Sequence, residues 1–172
     1  MQDAIGCGLG YVSKDRDTES LSLNANIRDN IAIAGLDKFS LRGLLFPWRE
    51  NEYVMRQVDS LSIKCSGTGQ YVSTLSGGNK QKVVFGKWIG AGSDILILDC
   101  PTRGVDVGVK QAMYQLITQM KREGKSFILI SEELTELIGM SDRILIMKDG
   151  RMEKEFERSA SLAESDMIHY MI

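Results

Sequence analysis

Short apolar runs that alternate with helical stretches constrain the fold of this 172-residue chain most strongly. The run ILIL at 95–98 is continuously apolar, which is typical of a strand buried in a parallel sheet. Helix-like intervals at about 107–122 and 133–139 separate the later runs. Further strands are predicted at 9–13, at 127–130 (FILI) and at 143–148 (RILIMK). This alternation predicts an α/β fold with a parallel sheet.

The segment 26–66 interrupts the alternation and predicts a helical insertion. Asn26 can cap a helix, with Asp29 placed where a carboxylate suits the positive helix end. Pro47 can start a second helix that runs to about Leu61. The remaining expectations are a polar loop KDRDTES, a loop over 35–47, a helix over 79–90, a turn at Asp149 and Gly150 before an edge strand RMEKEFE, and a last helix over 161–171.

Charge and composition exclude several classes of protein. The formal net charge of −2 gives no reason to expect nucleic acid or an anionic membrane as the partner. No apolar stretch approaches the roughly 20 residues that a transmembrane helix needs, and the first residues show no signal peptide. Cys7, Cys65 and Cys100 stand too far apart in the sequence to suggest a metal site or a disulfide framework, so we expect a reduced, cytoplasmic setting. The single histidine, His169, has no cluster of possible metal ligands around it in the sequence.

The motif LSGGNKQK, which starts at Leu75, stands before a predicted helix and favours anion binding. Gly77 and Gly78 let backbone N–H groups approach an anion, Ser76 adds a hydroxyl, and the helix start adds partial positive charge. Taken alone, the motif is as well explained by a glycine-rich loop with a serine cap.

A second motif, ILILDCPTRGVD at 95–106, delivers Asp99 at the carboxyl end of a strand. Open α/β sheets place ligand groups at that edge, where an aspartate can support Mg²⁺ on nucleotide phosphates. The alternative is an aspartate that caps the next turn. A tight loop over 102–106 then leads into the following helix.

The order LSGGNKQK, ILILDCPTRGVD, FILISEE and MSDRILIMKDG resembles the ABC ATPase family over nearly the whole chain. The segments TRGVDVG, GMSDRILIMKDG, YVSKDR and NANIRDNI are similar to the second ATP-binding half of the tandem ATPase subunit of ribose, galactose and xylose importers. The resemblance implies a parallel-sheet ABC ATPase (P-loop NTPase) core at about 1–25 and 93–172, with a helical subdomain at about 26–92.

The resemblance also implies roles for matching positions. Ser76, Gly77, Gly78 and Asn79 would form the signature motif, which closes over ATP held by the opposite half. Asp99 would be the Walker B aspartate that supports Mg²⁺ indirectly, Asp106 the aspartate of the loop that crosses the dimer, and Lys14 the Q-loop residue. The resemblance implies three partners: the other nucleotide-binding half, the transmembrane permease and, indirectly, a sugar-binding protein outside the cell. It also implies a peripheral location on the inner face of the membrane.

Four departures from the family pattern affect the chain's own nucleotide site. No G-x-x-x-x-G-K-[ST] phosphate loop is present; Gly124-Lys125-Ser126 imitates its end but precedes a strand. Cys100 replaces the catalytic glutamate, and a thiol cannot polarise water as a carboxylate does. Glu132 stands at the switch-histidine position, where it would repel a γ-phosphate, and Lys14 stands where most of the family has glutamine.

These departures predict an asymmetric pair, in which this half completes the partner's ATP site and hydrolyses little itself. The isolated chain is predicted to be inactive and to bind ATP and Mg²⁺ weakly. Without the phosphate-loop strand the sheet has an open edge, which favours self-association. Two alternatives remain: a non-catalytic docking module for the membrane subunit, and an independent enzyme with Cys100 as nucleophile, which the lack of a nearby histidine disfavours.

Overall fold

The computed structural model describes residues 2–171, over which eight α-helices and seven strands follow one another. In chain order these are α1 (Gln2–Gly6), β1 (Leu9–Val12), α2 (Ile27–Ala32), α3 (Leu36–Phe39), β2 (Ser40–Leu41), β3 (Leu44–Leu45), α4 (Pro47–Ser60), α5 (Gly77–Ala91), β4 (Ile95–Asp99), α6 (Val107–Arg122), β5 (Ser126–Ile130), α7 (Leu134–Met140), β6 (Arg143–Lys148), β7 (Arg151–Glu157) and α8 (Glu164–Ile168). None of the helices in this described part is long and apolar enough to cross a bilayer.

The predicted parallel sheet is present, with strand order β1-β4-β5. β1 and β4 pair in parallel with Tyr11 opposite Ile97. Leu96 and Leu98 are fully buried, but Ile95 is 37% exposed, so the burial predicted for the whole run 95–98 is complete on one face of the strand only. Unlike the central strand β4, β5 lies at the edge of this sheet, and its Ile128 is 53% exposed. An open edge therefore exists in the described residues, and whether it mediates self-association stays a prediction.

The helical insertion packs α2 against both α4 and α5. The predicted cap is confirmed, because the Asn26 side chain accepts a hydrogen bond from the Asp29 amide at 2.8 Å. Pro47 begins α4 as expected. The core of the insertion consists of fully buried side chains from these three helices, among them Ile27, Ile31, Val54, Val84 and Phe85. This core fixes the direction of α5 and hence the position of the turn before it.

Local structure differs from the sequence predictions in four places. Residues 35–47 are not a plain loop, because α3 and the hairpin β2–β3 lie within them. The polar loop KDRDTES contains a π-helical turn, Arg16–Ser20. The last helix is shorter than predicted, since α8 covers only Glu164–Ile168, and α1 was not predicted at all. Each miss involves an element of at most five residues, too short for hydrophobic periodicity to show.

Two units make up the chain, Met1–Ile128 and Leu129–Ile172. In the second unit β6 and β7 pair antiparallel, and their turn has positive φ at Asp149 (49°) and Gly150 (75°), as predicted for this dipeptide. The core of this unit centres on Ile144, Ile146 and Met167.

Tyr53 provides a stability prediction for the insertion. Its hydroxyl oxygen is buried without a hydrogen-bond partner, and it lies 1.9 Å and 2.5 Å from where side-chain carbons on Gly35 and Gly90 would stand. Because an unsatisfied buried polar group costs about 1–3 kcal/mol, we expect Tyr53→Phe to raise the free energy of unfolding by about 1 kcal/mol. Urea denaturation measures this, with the 58% exposed Tyr71→Phe as a control that changes little.

The same residue predicts a pH dependence. Burial, together with the charge of Asp37, raises the pKa of Tyr53 from 10.0 to about 12. The unfolded chain therefore releases this proton first, and the wild type loses stability as pH rises from 10 towards 12. Tyr53→Phe lacks that loss, so the stability difference between the two proteins should widen over this interval. A difference that stays constant would mean that the hydroxyl is solvated.

Candidate functional site

The turn at Ser76 leads directly into α5, which begins at Gly77. Ser76 is extended (φ −63°, ψ 155°), and its side chain makes no capping bond to the first turn of the helix. The first-turn amides, which have no acceptor within a helix, are therefore not covered by a capping side chain. The Ser76 oxygen instead accepts a hydrogen bond from the Asn79 side chain at 3.0 Å, which leaves the Ser76 proton for a ligand.

Asn79 supports this turn with both ends of its amide. Its nitrogen donates to Ser76, and its oxygen accepts from the Lys64 amide at 2.9 Å. The side chain thereby ties the turn to the segment that follows α4. A contact between Asn79 and a nucleotide stays a prediction.

Gly77 and Gly78 are surrounded more closely than an anion-binding role alone requires. A side-chain carbon at Gly77 would stand 2.9 Å from Nη2 of Arg16, and one at Gly78 would stand 2.7 Å from Cγ2 of Val109. The glycines therefore also allow close packing of the turn against Arg16 and against the first turn of α6.

Arg16 connects the segment after β1 with the loop before α6. Its Nη1 donates to the Arg103 carbonyl at 3.1 Å, and its side chain is 18% exposed. Beside it, Lys80 of α5 bonds Asp17 at 2.9 Å. A cleft of about 240 Å³ is lined by Lys14, Asp15, Arg16, Asp17 and Arg103. The predicted Q-loop residue Lys14 thus lies in a cleft with Arg16, a residue that the sequence reasoning did not select.

Asp99 ends β4, as predicted, and is bonded to a residue that the sequence reasoning missed. The Tyr11 hydroxyl donates to Oδ2 of Asp99 at 3.0 Å. Burial and this hydrogen bond raise the pKa of Tyr11. Within residues 2–171 no group of three or more His, Cys, Asp or Glu side chains could hold a metal by itself. A single carboxylate fits an indirect Mg²⁺ partner, because Mg²⁺ retains waters and binds nucleotide phosphates with one or two carboxylates.

Cys100 follows Asp99 and has φ 45°, in the left-handed region that few side chains adopt. Gly104 (φ 67°) then turns the chain towards α6. Asp106 caps that helix by accepting from the Val109 amide at 2.9 Å. The loop over 102–106 therefore has the predicted tight form, and the cap gives Asp106 a structural role beside any contact across a dimer.

Glu132 belongs to the second unit and is exposed, two residues after the end of β5. Its neighbours form a local turn, in which the Glu133 amide donates to the Ser131 hydroxyl at 3.0 Å. The triplet 124–126 is not a phosphate loop: Lys125 bonds Asp94 at 2.8 Å, and Ser126 opens β5. This bond lowers the pKa of Asp94.

Sequence comparisons relate the chain to import ATP-binding proteins. No family model matches the chain. It is 43% identical to the ribose import ATP-binding protein RbsA of Bacillus subtilis over 166 residues, which is 96% of this chain and 34% of that protein. The corresponding protein of Shouchella clausii is 40% identical over 168 residues, 98% of this chain and 34% of that protein. The chain thus spans about a third of the length of these relatives.

Solved structures show the same fold. An ATP-binding cassette dimer in a post-hydrolysis state, bound to ADP and Pi, matches with a TM-score of 0.71 and 19% identity over 88% of this chain and 63% of that chain. An inward-facing metal-chelate type ABC transporter matches with a TM-score of 0.77 and 14% identity, over 94% of this chain and 63% of that chain. At these identities the likeness concerns the fold alone.

Proposed function

Because this chain is a homologue of the ribose import ATP-binding proteins and has the ABC ATPase fold, we propose that it is the C-terminal part of a second ATP-binding half in a sugar importer. Its function in the whole protein is to complete the ATP site of the partner half. The observation that carries the proposal is the turn at Ser76, whose proton and first-turn amides are left for a ligand.

The chemistry of this turn suits phosphate oxygens. The 15-residue helix α5 gives its start a partial positive charge, and the amides of Gly77 and Gly78 can donate to an anion. Ser76 can donate its hydroxyl proton while Asn79 holds the oxygen in place. ATP bound by the partner half supplies the phosphate, and the residues of this turn orient it and stabilise its charge.

The chain's own hydrolytic site is degenerate in this proposal. Asp99 remains as a Mg²⁺-supporting carboxylate, but Cys100 follows it in a left-handed conformation where the family has a glutamate. Neither the thiol of Cys100 nor the amine of Lys14 can replace the carboxylate that activates water at neutral pH. The partners in the whole protein are the other nucleotide-binding half and the permease, on the cytoplasmic face of the membrane, with the sugar-binding protein as an indirect partner.

The weakness of the chain's own site predicts a binding result. We expect the 172-residue chain to bind MgATP with a Kd in the millimolar range or weaker. Without a phosphate loop the remaining contacts should supply a binding free energy of only about 4 kcal/mol, which corresponds to a millimolar Kd. Isothermal titration calorimetry measures this, and Asp99→Asn should leave the weak affinity unchanged. Micromolar, Mg²⁺-dependent binding that Asp99→Asn abolishes would contradict a degenerate site.

A non-catalytic docking module is the alternative function. It is favoured by exposed apolar side chains of the helical insertion such as Ile33 and Leu36. Under that alternative, changes at Ser76 would leave ATP hydrolysis by the whole protein unaltered, whereas changes in the insertion would prevent assembly with the permease.

A further inference from the structure

The hairpin β2–β3 and the residues up to Arg49 form an exposed apolar tip, defined as residues 41–49. Leu44 is 64% exposed and Trp48 is 65% exposed, although both are large apolar side chains. Leu41 and Leu45 are exposed by half or more, and the rings of Phe46 and Trp48 lie against each other at 4.8 Å. A contiguous apolar patch of this kind on a protein surface marks an interaction site.

The turn at the end of the tip contains a residue that the backbone does not favour. Arg42 has φ 52° and Gly43 has φ 80°, which is the pattern of a type I′ hairpin turn. Such turns prefer asparagine or aspartate before glycine, because other side chains are strained at positive φ. Turn geometry therefore does not explain the arginine.

The charged side chains of the tip are all basic. Residues 41–49 contain two cations, Arg42 and Arg49, and no acid, and the nearest acids along the chain are Asp37 and Glu50. Between the two arginines five consecutive residues at 44–48, Leu-Leu-Phe-Pro-Trp, carry no polar side chain. The tip thus combines an apolar centre with a cation on each side.

The base of the tip is held firmly. Phe39, at the end of α3, is 2% exposed and packs against the ring of Tyr53 at 5.1 Å. On the other side Pro47 opens α4, whose Val54 and Val58 are buried in the insertion core. The apolar tip is therefore presented to solvent by a packed base, and its exposure is a property of the fold.

We propose that the apolar tip inserts shallowly into the interfacial region of an anionic lipid bilayer. Leucine and aromatic side chains bury in the boundary between head groups and acyl chains, where tryptophan is enriched. The two guanidinium groups remain at the level of lipid phosphates, which attract them. The proposal rests on the proposed function only in that an import ATP-binding protein works beside a membrane.

Vesicle flotation of the full-length ATP-binding protein tests the proposal. The vesicles are phosphatidylcholine alone and phosphatidylcholine mixed with phosphatidylglycerol. We expect binding to the mixed vesicles, and we expect the double variant Leu44→Ser, Leu45→Ser to lower the partition coefficient by about tenfold, because two exposed leucines lose their lipid contact. Met152→Ser, which removes a 58% exposed side chain from β7, is the matched control and should bind as the wild type does.

Arg42→Asn separates lipid binding from folding. Asparagine suits the positive φ of residue 42, so the thermal midpoint should stay the same or rise, while binding to phosphatidylglycerol vesicles should fall severalfold. A loss of binding with an unchanged or raised midpoint supports the lipid contact. A loss of both would show a folding defect and would overturn the role given to the arginine.

Two other results would overturn the proposal. The first is a wild-type protein that does not float with anionic vesicles. The second is a leucine double variant that still floats but no longer associates with permease-containing proteoliposomes, which would make the tip a protein contact. Ser76→Ala should leave flotation unchanged, so a failed ATPase prediction and a failed lipid prediction remain distinguishable.

Discussion

Ser76→Ala in the full-length ATP-binding protein is expected to lower the rate of ATP hydrolysis by about 10²-fold, the usual cost of removing one hydrogen-bond donor from developing phosphate charge. The hydroxyl is suited to that role because its oxygen accepts from Asn79 and its proton remains for the ligand. The loss should appear in kcat more than in KM, since the donor acts on charge that develops during the reaction. Steady-state phosphate release measures both.

The structure provides controls for this experiment. Ser76 is exposed and does not cap α5, so alanine there should change the free energy of unfolding by less than about 0.5 kcal/mol. Ser73→Ala removes another exposed hydroxyl three residues earlier and should leave hydrolysis unchanged. Cys100→Ser tests the asymmetry directly. It should change the rate of hydrolysis less than twofold, about 0.4 kcal/mol of activation free energy, because a degenerate site contributes little turnover. Equal losses for Ser76→Ala and Cys100→Ser would contradict the asymmetric pair.

Local signals in the sequence predicted much of the fold and the positions of the motifs. Asn26 before Asp29, Pro47 at a helix start, and Asp149 before Gly150 each act over four residues or fewer, and each has the expected geometry. A parallel sheet was predicted from the alternation of apolar runs with helices, and β1 and β4 do pair in parallel. Chemistry that depends on neighbours in sequence is accessible without a structure.

Contacts between distant parts of the chain could not be predicted in this way. The bond from Tyr11 to Asp99 joins residues 88 apart and depends on the register of two strands. The approach of Arg16 to Gly77 depends on how α5 packs, which no local pattern encodes. The hairpin at 40–45 escaped prediction because its strands have two residues each and its turn carries an arginine at positive φ.

Gly78→Ala is expected to destabilise the chain even though alanine is the better helix former. In a helix alanine is favoured over glycine by about 1 kcal/mol. At Gly78, however, the new carbon would stand 2.7 Å and 2.9 Å from the two methyl groups of Val109, which is held by the Asp106 cap. Overpacking of this kind costs about 1–3 kcal/mol. After the helix gain of about 1 kcal/mol is subtracted, we expect a net loss of up to about 2 kcal/mol in the free energy of unfolding, measured by urea denaturation.

Gly108→Ala is the matched control, because its new carbon would meet only the Asp106 carboxylate at an ordinary 3.4 Å, and the change should be neutral or stabilising. A double-mutant cycle with Val109→Ala gives the more demanding test. In the wild-type background Val109→Ala removes packing and should lower the free energy of unfolding by about 1 kcal/mol. In the Gly78→Ala background the same change removes the clash and should raise the free energy of unfolding. That reversal of sign is specific to a steric contact between these two residues. If Val109→Ala costs the same in both backgrounds, Gly78 is required for some reason other than its packing against α6.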